Sequence, residues 1–233
     1  MINMKLSILI PVFNEKNTIN LILQKVLDTK LNYELKKEII IVDDFSNDGT
    51  REILKGLDLS SNENIKLLFH DINSGKGSAI QTGLKAVTGE FTIIQDADLE
   101  YDPNDYNKLL HPIINQGADV VYGSRFVGAG STRVLFFWHR IANGILTLLS
   151  NMKSNLNLTD MECGYKIFKT SAITSIKLKE KRFGFEPEVT LKLAKQGFSF
   201  YEVGISYNGR NYDQGKKIGI KDAFAALFCI LKY

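Results

Sequence analysis

The chain has 233 residues, of which 44% are hydrophobic and 24% charged, and its formal net charge is +3 at pH 7. This length suits one sizeable hydrophobic core that needs no disulfide or metal to hold it together. The small net charge gives no reason to expect a nucleic-acid partner. The two cysteines, Cys163 and Cys229, follow no disulfide or metal-binding spacing, so we expect a reducing, cytosolic environment.

The sequence contains neither a signal-peptide pattern nor a candidate membrane span. The N-terminal residues run directly into an apolar segment, without the basic region that precedes a signal sequence. No apolar run reaches the roughly 18 residues that a membrane-spanning helix needs. Because internal repeats and linkers are also absent, we expect a single domain over residues 1–233.

Short apolar runs alternate with amphipathic segments through the first half of the chain. This alternation predicts a doubly wound α/β fold, a mostly parallel sheet with helices on both faces. Helices are expected after Asn17 or Thr18, after Ser74 and near Pro103, where helix-starting residues precede apolar periodicity. The predicted strands are residues 6–13, 38–42, 65–69, 91–94, 118–122 and 198–207.

Polar side chains follow the predicted strands, and Asp96-Ala97-Asp98 after the fourth strand is the most informative group. Ligands of parallel α/β sheets bind beyond the carboxyl ends of the strands, so these side chains are expected at one edge. Carboxylate pairs are ligands that Mg²⁺ takes together with substrate phosphates. If the strand continued through them, Asp96 and Asp98 would share a face. The other polar groups are Asn14-Glu15, Asp43-Asp44 and residues 71–77.

Three other segments have more than one possible interpretation from their residues alone. Residues 73–78 are not a Walker A motif, because His70 occupies the position of its first glycine. They form either the start of a helix that faces the carboxyl ends of the strands or a simple turn. The basic residues 208–217 are either a cationic flap over a diphosphate or a solvated loop. Arg125 follows the fifth strand, whereas Arg140, in a largely apolar segment, favours a bound anion or an acidic partner.

Three blocks of the sequence resemble the signature blocks of family 2 glycosyltransferases of the GT-A fold: residues 8–15 (ILIPVFNE), 39–50 (IIIVDDFSNDGT) and 95–98 (QDAD). Residues 158–166, 183–188 and 210–217 resemble, more narrowly, the polyprenyl-phosphate hexosyltransferases, such as the dolichol-phosphate mannose and glucose synthases. The blocks occur in order over nearly the whole chain. The sequence departs from the family at Phe45, where glycine is common, and at the C-terminus, where many members carry membrane helices.

The resemblance implies an enzyme that moves a hexose from a nucleoside-diphosphate sugar, of the GDP-mannose or UDP-glucose type, to a polyprenyl phosphate. It implies inversion at the anomeric carbon, a Mg²⁺ or Mn²⁺ cofactor, and a cytoplasmic protein peripheral to the membrane. A nucleotide-sugar half of about residues 1–125 would precede an acceptor half of about residues 126–233 that ends in an interfacial helix. An acceptor phosphate is mostly dianionic at neutral pH and needs no general base.

Two alternatives remain open from the residues. A transferase of the same fold could act on a saccharide hydroxyl, with Glu186 or Glu188 as the base. A non-catalytic nucleotide-sugar binder is the other alternative, which the Asp96/Asp98 pair and the flap cations disfavour.

The resemblance also implies roles for individual residues. The implied donor-binding residues are Pro11, Phe13, Glu15, Val42, Asp44, Asp96, Ala97, Asp98, Arg210 and Lys216. The implied metal ligands are Asp98 and Glu100, and the implied acceptor-binding residues are Ser124, Arg125 and Arg140. Of all these, the resemblance gives a catalytic role to Asp96, Asp98, Arg125 and Arg140.

Overall fold

The computed structural model describes residues 4–59, 63–128, 133, 136–210 and 219–233. The strands in these residues are β1 Lys5–Val12, β2 Lys36–Asp43, β3 Ile65–Phe69, β4 Phe91–Ile94, β5 Val120–Ser124, β6 Lys166–Lys169 and β7 Phe200–Gly204. They form one sheet of seven strands in the order β3-β2-β1-β4-β6-β5-β7. All neighbours pair in parallel except β6, which is antiparallel to both β4 and β5.

Helices cover both faces of this sheet. They are α1 Ile19–Asp28, α2 Thr50–Lys55, α3 Lys76–Leu84, α4 Tyr106–Asn115, α5 Phe137–Ser154, α6 Thr170–Ser175, α7 Phe185–Lys195 and α8 Ile220–Lys232, and a 3-10 turn at Pro103–Asp105 precedes α4. Buried side chains of α1, α2 and α4 pack on one face, and those of α3 and α5 to α8 pack on the other. The predicted doubly wound, mostly parallel α/β class is confirmed.

The core is built from strands that are apolar on both faces. In β1, Ile8 and Ile10 point to the face that carries α1, whereas Leu9 points to the face that carries α3, since successive side chains of a strand alternate. Helix α3 lies very close to this strand, because a Cβ at Gly83 would come within 2.0 Å of Leu9. Burial on both faces explains why the first strands are continuous apolar runs in the sequence.

The sequence analysis does not identify β6 or the helices α2, α6 and α7. Strand β6 has lysine at both ends, yet Lys166 is fully buried. Its ammonium group donates to the carbonyls of Met161 and Cys163 and lies 4.3 Å from the ring centre of Tyr122. The strand has only four residues, and a charged side chain fills one of its core positions. It therefore has no hydrophobic periodicity by which the sequence analysis could identify it.

Several predicted boundaries differ from the structure by a few residues, and two of the differences concern residues near the strand carboxyl ends. The fifth strand, β5, extends to Ser124, so Ser124 is its last residue rather than part of the following loop. Helix α3 begins at Lys76, and its N-cap is Gly75, with φ of 96°, rather than Ser74. Gly75 is needed there, because a side chain at this φ is strained and its Cβ would lie 2.5 Å from a backbone carbonyl oxygen.

Phe45, which stands where the resemblance leads us to expect glycine, has a backbone conformation that favours glycine. It adopts the left-handed conformation, with φ of 65°, which glycine takes without a steric penalty and a bulky residue does not. The Arg51 guanidinium lies 5.3 Å from the Phe45 ring centre, and Arg51 also pairs with Asp43 at 2.7 Å. These contacts hold the loop after β2 in place despite the strain at Phe45.

Glu38, near the start of β2, is a buried carboxylate with a full set of donors. It accepts hydrogen bonds from the Ser7 hydroxyl at 2.6 Å, the Thr88 N–H at 2.8 Å and the Lys66 ammonium at 2.9 Å. Burial alone would raise the pKa of Glu38, but these hydrogen bonds lower it to about 2. The ionised carboxylate therefore stabilises the fold at the edge of the sheet opposite the strand carboxyl ends.

We predict that Glu38→Gln lowers the free energy of unfolding by about 1–3 kcal/mol at neutral pH. A lowered pKa gives stability that is present above the unfolded-state value of about 4.3 and is lost as the pH falls toward about 2. Urea denaturation at about pH 7 and about pH 3 measures the difference, which should shrink at the lower pH. The exposed Glu52→Gln variant is the control. An equal loss at both pH values would contradict the prediction.

Candidate active site

The carboxyl ends of the central strands bring acidic side chains together. Glu15 follows β1, Asp44 follows β2, and Asp96 and Asp98 follow β4. Strand β4 ends at Ile94, so the Asp-Ala-Asp sequence lies in the turn beyond it, and strand alternation does not align its two carboxylates. They lie close together in this turn rather than on one face of a strand.

Arg210 joins several of these carboxylates. Its guanidinium lies 2.9 Å from Asp98 and 3.2 Å from Glu15, and its backbone N–H donates to Glu100 at 2.7 Å. Burial, followed by the charges of Asp96 and Glu100, raises the pKa of Asp98 to about 7. One guanidinium does not neutralise this many carboxylates, so the cluster favours a further cation.

Asp98 and Glu100, the expected metal ligands, supply the hard oxygen atoms that Mg²⁺ and Mn²⁺ accept. Their carboxylates lie on the same guanidinium, at 2.9 Å and 3.7 Å. Among the described residues, no three His, Cys, Asp or Glu side chains are grouped so as to hold a metal by themselves. A pair of carboxylates fits an ion whose coordination is completed by water and substrate phosphates, as is usual for Mg²⁺.

Lys76, the first residue of α3, is a site residue that the sequence analysis left as part of a possible turn. Its ammonium group lies 2.9 Å from Asp96 and 3.3 Å from Glu186. Burial alone would lower the pKa of Lys76, but these two carboxylates raise it, so the lysine is charged at neutral pH. A cation at a helix N-terminus is a suitable partner for a phosphate group. The glycines on both sides of the lysine were the signal for this helix start.

Gly164 allows the loop before β6 to approach these charges. A Cβ at this position would come 2.6 Å from an Asp96 oxygen and 3.1 Å from the Lys76 nitrogen. A side chain here would displace the Asp96 and Lys76 side chains, so glycine lets the loop backbone form a wall of the site.

Asp44, which the resemblance implies for nucleoside binding, has hydrogen-bond donors within the chain. Its carboxylate accepts from the backbone N–H groups of Ser74 at 2.9 Å and Gly75 at 2.6 Å, and it lies 2.7 Å from Nδ1 of His70. Asp44 thereby positions the loop that leads into α3.

The remaining donor residues implied by the resemblance surround the ends of β1, β2 and β4. Pro11 in β1 and Phe13 just after it are half-buried. The side chain of Val42 is fully buried, and Ala97 is 3% exposed. We therefore expect the backbone of these last two residues, rather than their side chains, to meet a ligand. Lys216 lies outside the described residues.

A second group of predicted residues lies at the end of β5. The Arg125 guanidinium donates two hydrogen bonds of 2.7 Å to Asp160, and the side chain of Asp160 is fully buried. The hydroxyl of Ser124 lies 2.7 Å from that of Thr159 and accepts from the Val127 N–H at 3.0 Å. These contacts fix the turn after β5 and hold Arg125 in one orientation.

Arg140 lies on the first turn of α5 and is exposed. Its guanidinium carbon lies 3.3 Å from the ring centre of Phe126, and that of Arg125 lies 5.4 Å from the same centre. The structure thus brings the two arginines to one aromatic ring. The Arg125 guanidinium carbon also lies 5.3 Å from the ring centre of Tyr207, whose hydroxyl donates to Glu100 at 3.0 Å, so this group borders the acidic cluster around Arg210.

The fold is that of a nucleotide-sugar glycosyltransferase of the GT-A type. The structure resembles that of glucosyl-3-phosphoglycerate synthase from Mycobacterium tuberculosis in complex with Mn²⁺, UDP and phosphoglyceric acid. The TM-score is 0.73 at 17% identity, and the match covers 98% of this chain and 78% of that one. The family model "Glycosyl transferase family 2" matches residues 7–176. The chain belongs to this family and is a glycosyltransferase.

Relatives of known sequence extend over most of the chain. A dolichol-phosphate mannosyltransferase of Pyrococcus furiosus is 28% identical over 222 residues, which are 92% of this chain and 61% of that protein. The chain therefore spans less than two thirds of the length of that relative. An uncharacterized protein of Methanocaldococcus jannaschii is 28% identical over 229 residues, covering 96% of this chain and 90% of the relative.

We predict that Asp98→Ala lowers the rate of sugar transfer by about 100-fold or more, because removing a group that stabilises charge in the transition state typically lowers the rate by that factor. The fold should be retained, since Asp98 lies in the turn beyond β4 and belongs to neither hydrophobic core cluster. Turnover of nucleotide sugar with Mn²⁺ measures the effect. The variant Asp28→Ala, in an exposed position at the end of α1, is the control. Near-normal turnover by folded Asp98→Ala would refute its assignment as a metal ligand.

We predict that Arg210→Ala changes the affinities for metal and nucleotide in opposite directions. Loss of the guanidinium leaves Asp98, Glu15 and Glu100 without their shared cation, so Mn²⁺ alone should bind more tightly. A nucleoside diphosphate should bind about tenfold more weakly, because a hydrogen bond to a charged group is lost. Calorimetry measures both affinities, with exposed Lys16→Ala as the charge-matched control. Unchanged affinity for the nucleotide would contradict a donor-binding role for Arg210.

Proposed function

We propose that this glycosyltransferase moves a hexose from a nucleoside-diphosphate sugar to a polyprenyl phosphate, with inversion at the anomeric carbon. The observation that carries the proposal is the position of Arg140, next to a stripe of exposed apolar side chains on α5. A lipid phosphate needs both features, a cation for its headgroup and an apolar surface for its chain. The name of the dolichol-phosphate mannosyltransferase relative supports the same acceptor class.

On the donor side, the proposal assigns the diphosphate to Lys76 and Arg210 and a divalent ion to Asp98 and Glu100. An ion bound there would stabilise the negative charge that develops on the leaving diphosphate. The structural relatives in complex with UDP and Mn²⁺ or Mg²⁺ support this assignment. Lys76 and Arg210 already face carboxylates, so they are oriented before the donor arrives and need little reorganisation.

On the acceptor side, the nucleophile is a phosphate oxygen. A phosphate monoester is mostly dianionic at neutral pH, so it attacks the anomeric carbon directly and the configuration inverts. Arg140 and Arg125 would orient this phosphate, and Ser124 would support the turn that presents Arg125. The buried Asp160 fixes the direction of the Arg125 guanidinium, and such preorganisation favours one attack geometry.

The apolar surface for the lipid would be formed by α5 and α8. Their exposed side chains repeat at intervals of three and four residues, which is the spacing of one helix face. Lys153 links the helices, since its ammonium group donates to the carbonyls of Ile230 and Leu231 at 2.7 Å. These side chains, each more than 40% exposed, are Trp138, Ile141, Ile145, Leu148 and Met152 of α5 and Phe224, Phe228 and Leu231 of α8.

A surface of this kind suits peripheral attachment to a membrane, where polyprenyl phosphates reside. None of the helices in the described residues is both long enough and apolar enough to cross a bilayer. We therefore propose a peripheral location at the cytosolic face, with α8 as the predicted interfacial helix. The division into a donor half and an acceptor half stays a prediction. A contact crosses the predicted boundary, since Arg210 of the second half lies against Glu15 and Asp98 of the first.

The saccharide-hydroxyl alternative needs a carboxylate base, and the two candidates differ in their surroundings. Glu188 accepts hydrogen bonds from the backbone N–H groups of Lys179 and Glu180 and from the Lys192 ammonium. These donors make Glu188 a structural group within the fold. Glu186 lies beside Lys76, a position that suits a donor-binding role.

We predict that labelled hexose enters polyprenyl monophosphate but neither free polyprenol nor simple saccharides. Arg140→Ala and Arg125→Ala should each lower transfer by about tenfold or more, since a charged hydrogen bond to the phosphate is lost, and should impair donor binding far less. Lys25→Ala, an exposed cation on α1, is the control. Label that enters saccharides and never the lipid phosphate would overturn the proposal in favour of the hydroxyl-acceptor alternative.

A further inference from the structure

Two carboxylate oxygens next to the proposed donor site have no hydrogen-bond partner in the described part of the chain. They are Oε2 of Glu186, at the start of α7, and Oε1 of Glu162, in the loop before β6. Glu186 is 4% exposed, and its other oxygen lies 3.3 Å from the Lys76 ammonium. A buried polar atom without a partner costs about 1–3 kcal/mol, so two adjacent ones indicate a ligand that satisfies them.

Charged groups from several elements face this pair. Lys76 approaches from α3, and Lys166 from β6, while Arg125 and Asp160 approach from the turns after β5 and before β6. The ammonium group of Lys166 donates its hydrogen bonds to backbone carbonyls and not to either carboxylate. Burial and then the neighbouring Glu186 raise the pKa of Glu162 to about 8. Glu162 is therefore mostly protonated at neutral pH and both donates and accepts hydrogen bonds.

The pair is adjacent to the groups assigned to the diphosphate. Lys76 bridges directly from Asp96 to Glu186, and the loop that carries Glu162 touches Asp96 at Gly164. A group attached to a diphosphate at Lys76 is thus within reach of Glu186 and then of Glu162. In a nucleoside-diphosphate sugar, that group is either the nucleoside or the hexose, and the nucleoside belongs to the Glu15 and Asp44 side.

The chemistry of the pair selects the kind of ligand. The Glu186 carboxylate repels a phosphate or a carboxylate, and the ammonium groups of Lys76 and Lys166 disfavour a metal ion. A neutral group with several hydroxyls satisfies both orphaned oxygens, because each hydroxyl donates one hydrogen bond and accepts another. A hexose is such a group.

We propose that Glu162 and Glu186 bind hydroxyl groups of the donor hexose and determine which hexose is accepted. This inference rests on the proposed function, since it takes the donor to be a nucleoside-diphosphate sugar. A site built to hydrogen-bond a substrate hydroxyl discriminates strongly against an analogue that lacks it, because buried polar groups of the site are then left unpaired. Glu162 would be a specificity-determining residue that the sequence pattern alone did not indicate.

The test uses the full chain with Mn²⁺ and calorimetry. The donor is first chosen by affinity among UDP- and GDP-hexoses, and its monodeoxy analogues are then compared with it. The wild type should bind at least one monodeoxy analogue about tenfold more weakly than the donor. Glu162→Ala should lose most of that discrimination, and Glu162→Gln should retain part of it. All variants should bind the parent nucleoside diphosphate as the wild type does.

Glu38→Gln is the matched control, because Glu38 is another buried carboxylate but lies at the opposite edge of the sheet. It should lower stability and leave the discrimination among deoxy analogues intact. Unchanged discrimination in Glu162→Ala, or in the isosteric Glu162→Gln if the alanine variant does not fold, would overturn the inference while the proposed function stands. A wild type that binds no nucleoside diphosphate with Mn²⁺ would overturn both.

Discussion

An excess of carboxylates at one edge of the sheet is the constraint on which the rest of the structure depends. The parallel strands end together, and their loops bring Glu15, Asp96 and Asp98 to the same edge. Lys76 and Arg210 hold this edge together by pairing with them. Both cations are also suited to a diphosphate, so under the proposed function ligand binding would exchange carboxylate partners for phosphate partners. A divalent ion would then supply the positive charge that the carboxylates would otherwise lose.

The antiparallel strand β6 links the two ends of the proposed reaction. Its insertion between β4 and β5 places the preceding loop against the turn that carries Asp96. One stretch of five residues in this loop holds Asp160, which orients Arg125, and Gly164, which touches Asp96. The groups that the proposal assigns to acceptor and donor are thus held by the same short backbone segment, which under the proposed function would fix the distance between the attacking phosphate and the leaving diphosphate.

The sequence predicts the parts of the fold that depend on local periodicity. Strands β1 to β4 are apolar runs because both faces of the sheet are buried. Helix α1 has an amphipathic pattern because only one of its faces is buried. The topology of such a sheet then places the acidic turns at one edge, before any contact is known. Sequence analysis does not detect strand β6, because the hydrogen-bond acceptors of its buried Lys166 are carbonyl groups that only the tertiary structure brings near. The same limit applies to Lys76 with Glu186 and to Arg125 with Asp160, pairs more than thirty residues apart.

The central claim, that the acidic edge binds a cation and a diphosphate together, is tested most directly by calorimetry of UDP and GDP with and without Mn²⁺. The account predicts that at least one of the two nucleotides binds about tenfold or more tightly with Mn²⁺ than in a chelator. By thermodynamic linkage, that nucleotide must raise the affinity for Mn²⁺ by the same factor. Equal affinities for each nucleotide in Mn²⁺ and in chelator would contradict the account.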